Sequence, residues 1–235
     1  MTINPDEIIL LQRGWFVINA TILFTWLVML LLTLGSWLVT RNLMSEGTLS
    51  RWQNLLEVLV DGIREQIREV SRQDPGPYLP FVGTLFIFIA FSNIMGIVPG
   101  FITPTSSLST TAALAICVFI AVPVFGIARQ GLLTYLRQYL EPSFFMLPFN
   151  VIGELSRTMA LAVRLYGNMM SGAVIVAILL TIAPLVFPVV MQALGLLTGL
   201  IQAYIFAILA MVYIASASQA QRQLEARRRE SKWKA

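Results

Sequence analysis

The sequence contains no histidine and one cysteine, Cys117, which lies inside an apolar run. A lone thiol closes no internal disulfide, and without histidine a zinc or haem site has few donors, so neither metal nor cofactor is expected. Charge is equally scarce: 12% of the 235 residues are charged and 57% are hydrophobic. A soluble domain of this size needs more polar surface than that. Water is therefore not the main solvent of this chain.

The few charges leave long voids. None falls from Gly14 to Thr40, from Pro75 to Ala128, or from Leu165 to Gln221. A bilayer core of about 30 Å takes about 20 apolar residues per helix, so the first void holds one span and the second two. Pro99 to Ser109 separates those two, and Pro184 with Pro188 divides a last pair of helices. The expected fold is an all-α polytopic membrane protein of about five membrane helices. A tail over 1–14 precedes a first span over 15–40, and an amphipathic segment covers 41–76. The second and third spans lie within 80–128. A long tilted hairpin follows over 148–183 and 186–219, and a basic tail over 220–235 ends the chain. The apolar run from Trp15 to Val39 exceeds the apolar core of a secretory signal, so it is read as a helix.

Basic residues set the orientation. Five arginines lie in 41–74, two in 129–141 and six basic residues after Gln221, whereas the N-terminal tail has Arg13 alone. The loops near 99–109 and 182–188 have none. This pattern predicts an N-terminus outside and a C-terminus in the cytoplasm. The net charge of +4 then follows from topology, the partner is the lipid bilayer, and no nucleic-acid partner is expected. Within 41–76, Trp52, Leu55, Leu56, Leu59, Ile63, Ile67 and Val70 recur on one side, opposite Asp61, Arg64, Glu65, Arg68, Glu69 and Arg72. This is the pattern of an amphipathic helix on the cytoplasmic membrane surface, either a solvated connector or a docking surface.

Arg164 stands out. It interrupts apolar sequence in the fourth membrane helix, where a charge at mid-bilayer costs about 2.5–3.5 kcal/mol or more. The nearest acid on that helix, Glu154, is roughly 15 Å away along the axis. Glu154, Arg157, Arg164, Asn168 and Ser171 share one arc of roughly 100° on a helical count. On the next helix Gly195, Thr198, Gly199, Gln202, Tyr213 and Ser216 share another. Small and hydroxylated residues in such stripes commonly serve helix packing, and Glu154 with Arg157 suits an interfacial ion pair as well as an ion path. Arg164 has no such reading, because nothing in this chain neutralises it. Arginine does not deprotonate in practice, so it acts as a fixed charge on a visiting carboxylate. At about 4 Å and an effective dielectric near 20 the attraction is roughly 4 kcal/mol, about a thousandfold in the acid's proton affinity.

Three stretches carry a resemblance: SRTMALAVRLYGNMMSG over 156–172, GLIQAYIFAILAMVYIASAS over 199–218 and PYLPFVGTLFIFIAFSNIMGIVPG over 77–100. They resemble subunit a of F-type ATP synthases, the stator channel that faces a rotating ring of c subunits. The resemblance implies that Arg164 is the essential arginine, that Asn168 and Gln202 are its polar neighbours, and that Asn93 belongs to the access-channel helix. It implies two aqueous half-channels separated by Arg164, with Glu154, Arg157, Ser171 and Tyr213 as further pathway residues. Expected partners are the c-ring and b-type peripheral stalk subunits, and the chain by itself is not an enzyme. Three positions depart from the family: Ala173 stands where many relatives carry an acidic or histidine residue, Gly195 stands where some place histidine, and Thr158 replaces the usual proline. A path without titratable groups suits sodium as well as protons, and in this respect the chain resembles a sodium-linked bacterial branch. Protons, the commoner ion, are the first expectation. A secondary transporter clamping an anionic substrate at Arg164 is the alternative class, disfavoured by the absence of internal repeats. An intramembrane hydrolase has no serine paired with a base.

Overall fold

Once water is excluded, every backbone N–H and C=O has to be satisfied within its own segment, so apolar runs of this length fold as helices. The computed structural model describes residues 9–13, 16–41, 51–72, 74–98, 100–132, 146–182 and 187–233. Of the expected segments, positions 1–8, 14–15, 42–50, 73, 99, 133–145, 183–186 and 234–235 lie outside the described residues. The helices are α1 (Ala20–Thr40), α2 (Arg51–Ser71), α3 (Leu79–Met95), α4 (Leu108–Gln130), α5 (Met146–Ile182) and α6 (Phe187–Trp233). Four of them, α1, α4, α5 and α6, are long and apolar enough to cross a membrane, and α3 is a shorter apolar helix.

The first span starts later than expected. The expected start is residue 15, but Phe16–Asn19 is a strand, β2, paired antiparallel with β1 (Ile9–Arg13). Phe16, Val17 and Ile18 are aromatic or β-branched and favour extended backbone, and a short apolar run does not by itself distinguish strand from helix. At the other end α6 runs through Trp233 instead of stopping near 219. The segment from Gln219 to Glu230 is rich in Gln, Ala, Glu and Arg and holds no Gly or Pro, so nothing in it ends a helix.

Helix α1 is apolar on all sides and peripheral: Ala20, Thr21 and Val28 are buried, while Trp26, Leu30 and Leu38 face outward. Its threonine hydroxyls are satisfied one turn back, Thr25 on Thr21 O and Thr33 on Met29 O, both at 2.7 Å. Thr84 and Ser92 do the same on α3, at 2.6 and 2.7 Å. The C-terminal half of α2 turns its apolar side to other helices, while Leu55 is exposed: Ile67 is buried among residues of α3, α4 and α6, and Tyr204 Oη donates to Gln66 Oε1 at 2.5 Å. Its outer side carries the exposed pairs Asp61–Arg64 and Glu65–Arg68. It ends at Arg72, whose φ of 52° lies in the left-handed region.

Pro80 sits in the first turn of α3, where its missing N–H interrupts nothing. Helices α3 and α6 form the most extensive pair. Between α3 and α4 the chain reverses through Gly100 at φ 87° and then folds inward. Pro104–Ser106 forms a 3₁₀ turn whose three residues are buried, and this turn touches α1, α3, α4 and α5. Two apolar cores result. One gathers Val28, Leu85, Ile89, Val118, Leu165 and Phe206, and the other gathers Ile67, Tyr78, Val82, Val122, Met211 and Ile214. Helix α5 is roughly 55 Å long and α6 roughly 70 Å at 1.5 Å per residue, so neither fits upright within a bilayer.

Phe206 is fully buried in the first core. Phe206→Ala is expected to destabilise the chain by roughly 3–5 kcal/mol and to lower the thermal unfolding midpoint in detergent. Trp26→Ala, on the outer face of α1, should leave that midpoint in place.

Candidate functional site

Helix α5 has one packed side and one open side. Leu161, Ala162 and Leu165 are buried in the core, while Met159, Val163, Ile175 and Ile178 are exposed. Arg164 lies on the open side, at the midpoint of the helix, eighteen residues from both Met146 and Ile182. Among the described residues it has no ion pair and no hydrogen bond. A permanent cation is thus presented outward from an apolar face of the single chain.

The pairing of α5 and α6 sets the level of the other polar groups. Asn168 Nδ2 donates to Thr198 O at 3.5 Å. The helices are antiparallel, so one turn from this contact brings Arg164 and Gln202 to the same level. Gln202 is 5% exposed, and its Nε2 is buried with no hydrogen-bond partner among the described residues. The next carbonyl of α6, Gly199 O, accepts Asn93 Nδ2 at 2.8 Å. Asn93 Oδ1 in turn accepts the Thr105 hydroxyl at 3.0 Å. Two asparagines from two different helices therefore dock on consecutive carbonyls of α6, whose second lone pairs remain free after the helical bond. Gly199 is required at this approach, because a Cβ there would stand 3.0 Å from Asn93 Nδ2.

A cavity of about 490 Å³ opens on one side of the Arg164 level, between the end of α3, the inward loop, α5 beyond Asn168 and α6 before Thr198. Its polar lining is Asn93, Thr103, Asn168, Ser171, Gln192 and Thr198, and none of its lining side chains is titratable. Gln192 Nε2 reaches Gly96 O at 3.4 Å and joins α6 to the loop at the cavity rim. On the opposite side of Arg164, the Arg157 guanidinium lies over the Tyr213 ring, 5.8 Å from its centroid. Glu154 sits one turn beyond, and its backbone carbonyl accepts the Thr158 hydroxyl at 3.0 Å.

The expected site residues thus separate into three groups. Asn93, Asn168 and Ser171 share the cavity, Gln202 is buried at the arginine level, and Glu154, Arg157 and Tyr213 lie on the far side. Sequence reasoning missed Thr103, Thr105 and Gln192. The helical count holds a signal for Gln192, which falls about 20° from Gly199. It holds none for Thr103 and Thr105, which sit in a connection.

A family model described as ATP synthase A chain matches residues 22–215. The chain is 63% identical to ATP synthase subunit a 2 of Acaryochloris marina over 219 residues, covering 93% of this chain and 94% of that one. It is 61% identical to ATP synthase subunit a of Albidiferax ferrireducens, covering 93% and 95%. ATP synthase subunit a 1 of Chlorobaculum parvum is also 61% identical, covering 93% and 97%. With a family model spanning most of its length and relatives of this identity matched nearly end to end, the chain belongs to the ATP synthase subunit a family and is an integral membrane protein.

Proposed function

We propose that this chain is the ion-translocating stator subunit of a rotary ATP synthase, in which Arg164 is the fixed cation met by a carboxylate on a ring of c subunits. One observation carries the reading: a mid-helix guanidinium faces outward from apolar surface and has no counter-charge among the described residues. A charge so placed is costly in a membrane, and a carboxylate on another subunit offsets that cost. ATP turnover itself belongs to other subunits. The b-type peripheral stalk holds the stator in place.

The guanidinium keeps its proton, so the ion travels on the ring carboxylate and Arg164 forces its release. At about 4 Å the pairing is worth roughly 4 kcal/mol at an effective dielectric near 20. The same charge repels free cations and blocks a direct leak. The distribution of arginine and lysine supports an inner-membrane topology with the α3–α4 loop outside and the C-terminus in the cytoplasm. The cavity then serves as the half-channel from the outside, through Asn93, Asn168 and Ser171. Glu154, Arg157 and Tyr213 serve the cytoplasmic half, and Gln202 orients groups at the arginine level.

The ion is the proton, carried to the ring by water in the cavity. Sodium is the second reading, favoured by a cavity wall of amide and hydroxyl oxygens without a titratable group, since hard cations take oxygen ligands.

Vesicles reconstituted with the whole enzyme test the central claim. Arg164→Ala is expected to abolish ATP-driven ion pumping, and Arg164→Lys nearly to do so, while the ring still co-purifies with the chain. Coupled pumping retained by the assembled alanine variant overturns the proposal. The ion is decided separately. On the proton reading, sodium chloride changes neither ATPase activity nor the rate at which a carbodiimide labels the ring. Sodium protection against that labelling replaces the proton with sodium.

A further inference from the structure

Thr105 is fully buried in the 3₁₀ turn of the α3–α4 connection. Its hydroxyl donates to one end of the Asn93 amide at 3.0 Å, and the other end of that amide donates to Gly199 O at 2.8 Å. A carboxamide has donors at one end and an acceptor at the other, so these two bonds together fix which way round Asn93 lies. The contact on Gly199 leaves no slack, with an added Cβ only 3.1 Å from Asn93 Cγ. Next along α6, Thr198 O takes Asn168, one turn from Arg164 on α5. A continuous series of contacts therefore runs from the loop through α3 and α6 to the helix that carries the arginine.

The same residues build the cavity wall. Asn93, Asn168 and Thr198 line it together with Phe101 and Thr103, which lead into the turn. Thr105 is not among the lining residues, so its hydroxyl reaches the cavity only through Asn93. We infer that Thr105 is a positioning residue for ion entry: by holding Asn93 in one orientation it seats the loop on α3 and α6 and so sets access through the cavity. Without the hydroxyl, Asn93 Oδ1 loses its buried donor, and only the bond to Gly199 O is left to hold the amide. Loop and cavity wall then lose their common anchor. The inference rests on the reading of the cavity as the half-channel from the outside.

The test uses the whole enzyme in proteoliposomes, synthesising ATP under an imposed ion gradient and a potassium diffusion potential. Outside pH and outside sodium chloride are titrated separately. Thr105→Val, near in shape but without a donor, is expected to raise the half-saturating concentration of the driving ion about 3- to 10-fold. The maximal rate should stay within about twofold, and Thr105→Ser should restore the original value. Thr105→Ala is the second variant and should show the same split. In parallel, Ser171→Cys in a Cys117→Ser background is labelled from outside by a membrane-impermeant maleimide. The labelling rate should change about threefold or more when Thr105→Val is added. Unchanged half-saturation and unchanged labelling overturn the role of Thr105 and leave the channel reading standing. A fall in maximal rate alone, unrestored by serine, also overturns it, because that is the mark of lost packing. Absence of labelling with Thr105 in place overturns the channel reading itself.

Discussion

The structure is organised around a guanidinium that cannot shed its charge and has no counter-charge among the described residues of its own chain. Water, a carboxylate or carbonyl oxygens normally meet that need, and Arg164 reaches none of the last two among the described residues. Burial in the core is therefore closed to it, and the helix turns it outward. Leu161 and Leu165, on the adjoining arc, pack inward instead and hold α5 against its neighbours. An arginine that faces outward on apolar surface makes sense for a subunit that meets a moving partner. On the proposed function, the fixed sign of the charge makes one residue both the release device and the barrier to leak.

Around that residue, polar groups are arranged so that few hydrogen bonds are lost. Hydroxyls on α1 and α3 return to carbonyls one turn back, which removes them as free donors inside apolar helices. The longer amides of Asn93 and Asn168 reach across to α6 and lock three helices at one level. Gly199 allows that approach by lacking a side chain. Gln202 is an exception, its buried amide nitrogen at the arginine level having no partner among the described residues. In a low-dielectric interior such a group is costly unless something comes to it, which fits a site completed by another subunit.

Much of this was legible from charge and period alone. The voids around Arg164 marked the membrane helices, and the narrow arc from Glu154 to Ser171 grouped Arg164 with polar neighbours that the structure then separates. The pairing of β1 with β2 was not legible, because Phe16, Val17 and Ile18 are apolar as well as aromatic or β-branched and their pairing partner is set by contact. The inward fold of Pro104–Ser107 was also hidden. Proline, serine and threonine in a row read as an exposed loop, yet all four residues are buried.

The sequence by itself determined the solvent of the chain, the number of apolar helices and the identity of the uncompensated charge. Each depends on local composition and on spacing along one helix. Only the tertiary structure decided that Asn93, Asn168 and Ser171 share one cavity while Arg157 stacks on Tyr213 beyond the arginine. Asn93 and Gly199 are 106 positions apart, and no periodicity within a helix reports a contact between helices. Which polar residues line the cavity and which brace its wall depends on the relative level of three helices, and packing between helices sets that level.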